Sequence, residues 1–175
     1  VVKAIRKLTP IEGKRIVMLG AGGAGRAMAV ELAWAGAAHL TLVTRRAAQG
    51  QDVARMVMQA SGVPCTWQPW SGDIRLPPAT DILMNATHLG CAPEREPVPV
   101  DWNTLAPATT VVDVITSPRL TPFLSTAQAK GCPIVDGVEM LVQLAMQIFE
   151  AWTGIPPDEA IFQAVRPVEP VGHNG

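Results

Sequence analysis

This sequence carries almost no excess charge: 14 lysines and arginines stand against 15 aspartates and glutamates, a formal net charge of −1. Such a balance offers no electrostatic footprint for nucleic acid and no attraction to an anionic membrane surface. Long apolar runs are missing as well. No stretch reaches the roughly 18 to 20 uninterrupted apolar residues of a membrane span. No signal peptide opens the chain, so a cytoplasmic protein is expected. Cysteine is scarce: Cys65, Cys91 and Cys132 are odd in number and widely spaced, with no C-x-x-C and no histidine at metal-ligand spacing. Neither a zinc site nor a disulfide framework is expected, only buried reduced thiols. Internal repeats are absent.

What is present suffices for one core. At 175 residues and 48% hydrophobic content the chain reads as a single domain over residues 1–165, followed by a mobile polar tail at 166–175. Opening on Val1, it also reads as a segment cut from a longer chain.

The organising stretch is residues 14–46. Arg15-Ile-Val-Met-Leu19 is a short run of apolar, partly β-branched residues, the pattern of a strand buried on both faces. Gly20-Ala-Gly-Gly-Ala-Gly25 follows at once and fits G-x-G-x-x-G, leading into a helix expected over Arg26 to Gly36. Each glycine has a physical reason. Gly20 permits a tight turn, Gly22 has no Cβ to obstruct a pyrophosphate, and Gly25 lets helix and strand pack closely. Gly23 and Ala24 complete the loop, whose helix N-terminus offers N–H groups and a positive dipole end to phosphates.

The second strand, His39 to Val43, ends in Thr44-Arg45-Arg46. An NAD-preferring site usually places an acid about 20 residues past the glycine turn, for the ribose 2′-OH. Arg45 stands there instead. Two guanidinium forks suit a 2′-phosphate by charge and bidentate geometry, which favours NADP over NAD. A solvated basic loop is the plain alternative.

Farther along, strands are expected at 64–68, 81–85, 110–115 and 133–135, and helices at 1–8, 51–60, 121–130, 140–152 and 158–165. The 140–152 helix is apolar on most sides and is expected to lie buried between layers. Trp67 and Trp70 are expected to pack under a loop, with adenine stacking as the alternative. The alternation predicts an α/β fold: a Rossmann-like doubly wound parallel sheet of about six strands with helices on both faces. Its ligands belong at the carboxyl ends of the strands, so the loops at 20–25, 44–46, 85–90 and 114–117 should line one crevice. Asn85 and Thr87 suit hydrogen bonds to ribose or carboxamide, or equally a turn that satisfies its own backbone.

Together these stretches resemble the cofactor-binding half of the shikimate dehydrogenase family, which includes the quinate/shikimate enzymes. Gly20-Ala-Gly-Gly-Ala24 is similar to its diphosphate loop, Arg45-Arg46 to its arginine clamp, and Asn85-Ala-Thr-His-Leu-Gly90 to its Asn-Ala-Thr-x-x-Gly turn. Residues 113–124 (DVITSPRLTPFL) resemble D-x-x-Y-x-P-x-x-T-x-L-L, and Asp136-Gly-Val-Glu-Met-Leu-Val142 resembles D-G-x-x-M-L-V. The resemblance implies reversible NADPH-dependent reduction of 3-dehydroshikimate to shikimate, a step in aromatic amino acid biosynthesis. Gly20 to Ala24 would hold the diphosphate, Thr44 to Arg46 the 2′-phosphate, and Val114, Gly137 and Met140 the nicotinamide end.

The family's lysine and aspartate, which shuttle the proton, lie in an N-terminal substrate domain with no counterpart in this sequence. No catalytic residue is therefore assigned, and a small-molecule substrate is expected to be held through that missing domain; a homodimer is compatible with the pattern. Thr116 stands where the family has a substrate-contacting tyrosine, in a chain without any tyrosine, and Leu144 where it has a glutamine. Thr44 replaces the usual asparagine and Cys91 the usual methionine. His88 is the one loop histidine facing the expected crevice, but it lacks an identified orienting partner. The alternatives are a non-catalytic NADP-sensing module and a related dehydrogenase acting on another substrate.

Overall fold

The computed structural model describes residues 1–93 and 96–164. Strand β1 (Arg15–Leu19) is buried from Ile16 to Leu19, although consecutive side chains point to opposite faces, because both faces of the sheet are covered. Ile16 and Met18 enter one core and Val17 and Leu19 the other. Beside β1 run β2 (His39–Thr44), β3 (Cys65–Pro69), β4 (Ile82–Asn85), β5 (Thr110–Asp113) and the short β6 (Ile134–Val135). All pair in parallel, in the order β3-β2-β1-β4-β5-β6. The strand order reverses between β1 and β4, where an open α/β sheet leaves a crevice at its carboxyl edge.

Register places the crevice loops level with one another. Leu19 pairs with Val43 on one side and Asn85 on the other. Gly20, Thr44 and Ala86 therefore leave the sheet at one height. On the first face, α1 (Val2–Arg6), α2 (Gly23–Trp34) and α3 (Ala47–Ser61) contribute Ile5, Leu32, Val53 and Val57 to the core. The second face is covered by α4 (Pro122–Ala129), through Phe123 and Leu124, and by the chain on either side of β4 (residues 70–81 and 96–109), through Ile74, Leu76, Val98 and Val100. That chain contains a 3-10 turn at Trp102–Thr104, which the prolines of the sequence did not suggest.

Several boundaries differ from expectation. Helix α2 starts at Gly23, so the glycine turn runs straight into the helix. Helix α3 starts at Ala47 rather than at residue 51. Helix α5 (Gly137–Thr153) begins before Met140 because Asp136 caps it, its carboxylate accepting the Glu139 N–H at 2.8 Å. The expected burial of this helix between layers is corrected: Leu144 is 52% and Trp152 86% exposed, and only Gly137, Val138, Val142 and Gln143 are buried. It packs on α1 and on the short α6 (Glu159–Ala164), leaving an apolar stripe uncovered. The cysteines divide, too. Cys65 and Cys132 are buried and Cys91 is exposed, and burial pushes the Cys65 thiol up to about 12. Val165 and the expected tail lie outside the described residues. Among the described residues, no helix is long and apolar enough to cross a membrane, and no cluster of His, Cys, Asp or Glu is arranged to hold a metal ion.

Candidate functional site

Gly20 leaves β1 at φ +93, a left-handed conformation that L side chains rarely adopt, and a Cβ there would meet Thr87 Cγ2 at 2.8 Å. Gly25 brings α2 against the exit of the strand, where a Cβ would stand 2.9 Å from the Gly20 carbonyl oxygen. Gly22 differs from both. Its φ of −67 suits any residue, and no heavy atom lies within 4 Å of a Cβ built on it. As N-cap of α2 it offers no side-chain acceptor, so the first-turn N–H groups keep the positive end of the helix dipole for something outside the helix.

The loop after β2 faces the same space. Thr44 is buried, and its hydroxyl is committed twice, donating to the Arg46 carbonyl at 2.9 Å and accepting from Trp67 Nε1 at 2.8 Å. Arg45 and Arg46 are exposed, and neither forms an ion pair among the described residues. Gln49, in the first turn of α3, donates to the Ala21 carbonyl at 2.9 Å and ties the two loops together.

The third loop is built differently. Asn85 is fully buried; its amide donates to the Leu89 carbonyl and to Asp113 Oδ1, each at 3.1 Å. Its carbonyl oxygen accepts from the Thr87 N–H at 3.1 Å and the Thr87 hydroxyl at 2.7 Å. Asp113, also fully buried, accepts in addition from the Ile115 N–H at 3.1 Å and the Thr121 hydroxyl at 2.7 Å. Burial raises its carboxyl to about 6 against the pull of these donors.

Between the loops lies a cavity of about 620 Å³. The structure brings together there Gly20, Ala21 and Gly22, then Thr44, Arg45 and Arg46, and Thr87. Gly23 and Ala24 are exposed at the start of α2, just beyond the lining. Asn85 lies beneath the cavity and shapes it by holding Thr87. Val114, Gly137 and Met140 stand outside the lining, as does the 114–117 loop expected to share it. Gly137 instead packs against the Ile115 carbonyl so closely that a Cβ would sit 2.3 Å from its oxygen.

Gln49, Trp70, Ala86 and His88 complete the wall. Ala86 and His88 belong to the 85–90 loop expected at the crevice, whereas Gln49 went unrecognised in the sequence. Gln49 carries no signal of its own once the helix is placed to start after it. His88 is exposed, and its ring has no hydrogen-bond partner among the described residues, so nothing orients it as an acid or base. A glycine cradle, an uncapped helix N-terminus and two cations without counter-ions among the described residues fit an anionic ligand rich in phosphate, and the volume of about 620 Å³ is in the range of small-molecule and cofactor sites.

No protein-family model matches the chain. It is 38% identical over 151 residues to the NADP(+) shikimate dehydrogenase of Rhodospirillum rubrum, covering 85% of this chain and 53% of that protein. Among solved structures it is similar to the ligand-free 5-ketofructose reductase of Gluconobacter sp. strain CHM43, with 42% identity and a TM-score of 0.89 over 93% of this chain and 59% of that one. Quinate dehydrogenase from Corynebacterium glutamicum, solved in complex with NAD, gives 27% identity and a TM-score of 0.84 over 93% of this chain and 58% of that one. The chain thus spans little more than half the length of the relatives it matches, and over that part it is similar in sequence to shikimate dehydrogenases and in fold to the 5-ketofructose reductase and the quinate dehydrogenase.

Proposed function

We propose that this chain is the NADP-binding part of a shikimate-dehydrogenase-like oxidoreductase, working with a substrate domain of the kind its longer relatives have room for. The observation that carries the reading is the pairing of an open glycine cradle with Arg45 and Arg46 across one cavity. The cradle and the uncapped α2 N-terminus would hold the diphosphate, and the two arginines the 2′-phosphate. When bound, NADPH supplies the hydride that reduces the ring carbonyl of 3-dehydroshikimate. The residues of this chain bind and orient the nucleotide, and the proton comes from elsewhere, since no group in the cavity is arranged to give it.

The apolar stripe of α5, with Leu141, Leu144, Ile148 and Trp152 exposed, supports a further body of protein at this surface. A second copy in a homodimer is the competing occupant. Titration with NADPH and NADH tests the cofactor reading: NADPH should bind more tightly, and replacing both arginines with alanine should abolish the difference. Equal affinities in the unsubstituted chain overturn it.

A second reading concerns the substrate. The 42% identity with a 5-ketofructose reductase, together with Thr116 and Leu144 in place of the family's substrate-contacting tyrosine and glutamine, favours a reductase acting on a different hydroxylated ketone. Assays of the chain joined to a substrate domain, with 3-dehydroshikimate and 5-ketofructose in parallel, separate the two.

A further inference from the structure

Strand β3 runs out through Trp67-Gln68-Pro69-Trp70, and both indoles meet the loop that carries Arg45 and Arg46. Trp67 fixes the base of that loop. Its N–H donates to the Thr44 hydroxyl at 2.8 Å, and its ring lies over Gly50 so closely that a Cβ there would be 2.0 Å from Trp67 Cδ1. Trp70 sits one step further out, its backbone N–H donating to the Thr44 carbonyl at 3.0 Å. One part of its ring packs on the second core, while the residue also lines the cavity. The guanidinium carbon of Arg45 lies 5.9 Å from the centre of the ring, within the range of a cation–π contact.

That contact matters because Arg45 is otherwise loose. It is exposed and forms no ion pair among the described residues, so clamping a ligand would freeze a side chain rich in rotamers. An indole beneath the guanidinium removes part of that freedom before the ligand arrives. Resting on the nucleotide reading above, we infer that Trp70 is a positioning residue that sets the preference for a 2′-phosphorylated nucleotide by holding Arg45 toward the cavity. It acts through Arg45 and therefore on the phosphate alone, leaving the parts common to both nucleotides untouched.

The test measures NADPH and NADH affinity for the chain and for Trp70→Leu, Trp70→Phe, Arg45→Ala and the Trp70→Leu/Arg45→Ala double variant. Leucine keeps apolar bulk against the core and removes the π face; phenylalanine keeps a face. Trp70→Leu should weaken NADPH about three- to tenfold and leave NADH unchanged. Trp70→Phe should recover most of the loss, and the double variant should bind NADPH no more weakly than Arg45→Ala alone. Equal losses for both nucleotides, full additivity in the double variant, or a Trp70→Leu variant like the parent each overturn the inference. Binding of neither nucleotide by the unsubstituted chain overturns instead the nucleotide reading beneath it.

Discussion

At the carboxyl end of β2, Arg45 and Arg46 stand in solvent without an ion pair among the described residues; at the carboxyl end of β4, Asn85 and its neighbour Asp113 are fully buried. Both loops leave the same edge of the same sheet. In the second, both ends of the Asn85 amide are taken by Leu89, Asp113 and Thr87, and both oxygens of Asp113 by Asn85, Ile115 and Thr121. Polar residues at one crevice thus differ in kind: the arginine pair has no ion-pair partner among the described residues and is open to the proposed ligand, while Asn85 and Asp113 are consumed in fixing their loop. Removing a residue of the first kind should cost affinity, and removing one of the second should cost stability.

The largest effect is expected at Asp113→Ala. It leaves the Asn85 amide, the Ile115 N–H and the Thr121 hydroxyl without their acceptor in a closed space. At about 1–3 kcal/mol for each buried orphan, urea unfolding should show a loss of about 4 kcal/mol. A loss below about 1 kcal/mol would erase the proposed contrast between the loops.

Next comes a dependence on pH. Burial favours protonated Asp113 in the folded chain, raising its carboxyl from 3.8 to about 6. The stability this contributes is therefore full below the unfolded value and is lost as pH rises toward and through the folded one, at most about 3 kcal/mol in all. Asp81 and Glu139, whose carboxyls are held low by hydrogen bonds with Lys14 and Arg15 and with Lys7 respectively, pull the other way, though burial opposes them. The quantity to measure is accordingly the difference between the parent and Asp113→Asn from pH 4 to 7. That difference should change with pH, and a constant one would show that the folded carboxyl titrates normally.

The opposite pole of the comparison is Arg45→Ala with Arg46→Ala. Melting should be unchanged, while NADPH binding should weaken by about 2 kcal/mol, roughly thirtyfold, with NADH little affected. A fall in melting temperature would mean that these arginines also serve the fold. The smallest effect is expected at Thr87→Val, which keeps the shape and removes a hydroxyl bonded to Asn85 Oδ1 and to the Leu89 N–H. Stability should drop by about 1 kcal/mol.

The strands of the central sheet were legible because burial on both faces writes itself as an unbroken apolar run, as in Ile16 to Leu19. The turn of glycines into α2 and the place of the arginine pair beside the cavity were legible by spacing. The fate of Asn85 was not. A strand-end amide can turn to a ligand or to the fold, and what decides it is Asp113, its register partner across β4 and β5, a neighbour that only the sheet supplies. The start of α3 escaped for a similar reason. Ala47-Ala-Gln-Gly50 has no capping side chain before it and a glycine within it, and it is helical beneath a Trp67 ring that admits no Cβ at residue 50. Helix α5 was misjudged because hydrophobicity alone does not say which face has a neighbour.

Gly22 draws a further line between fold and ligand. With an ordinary φ and empty space where a side chain would stand, the architecture sets no steric bar to other residues there, unlike Gly20 and Gly25. A saturation library sorted for soluble expression should therefore accept many substitutions at this position. The same library sorted for nucleotide capture should return glycine.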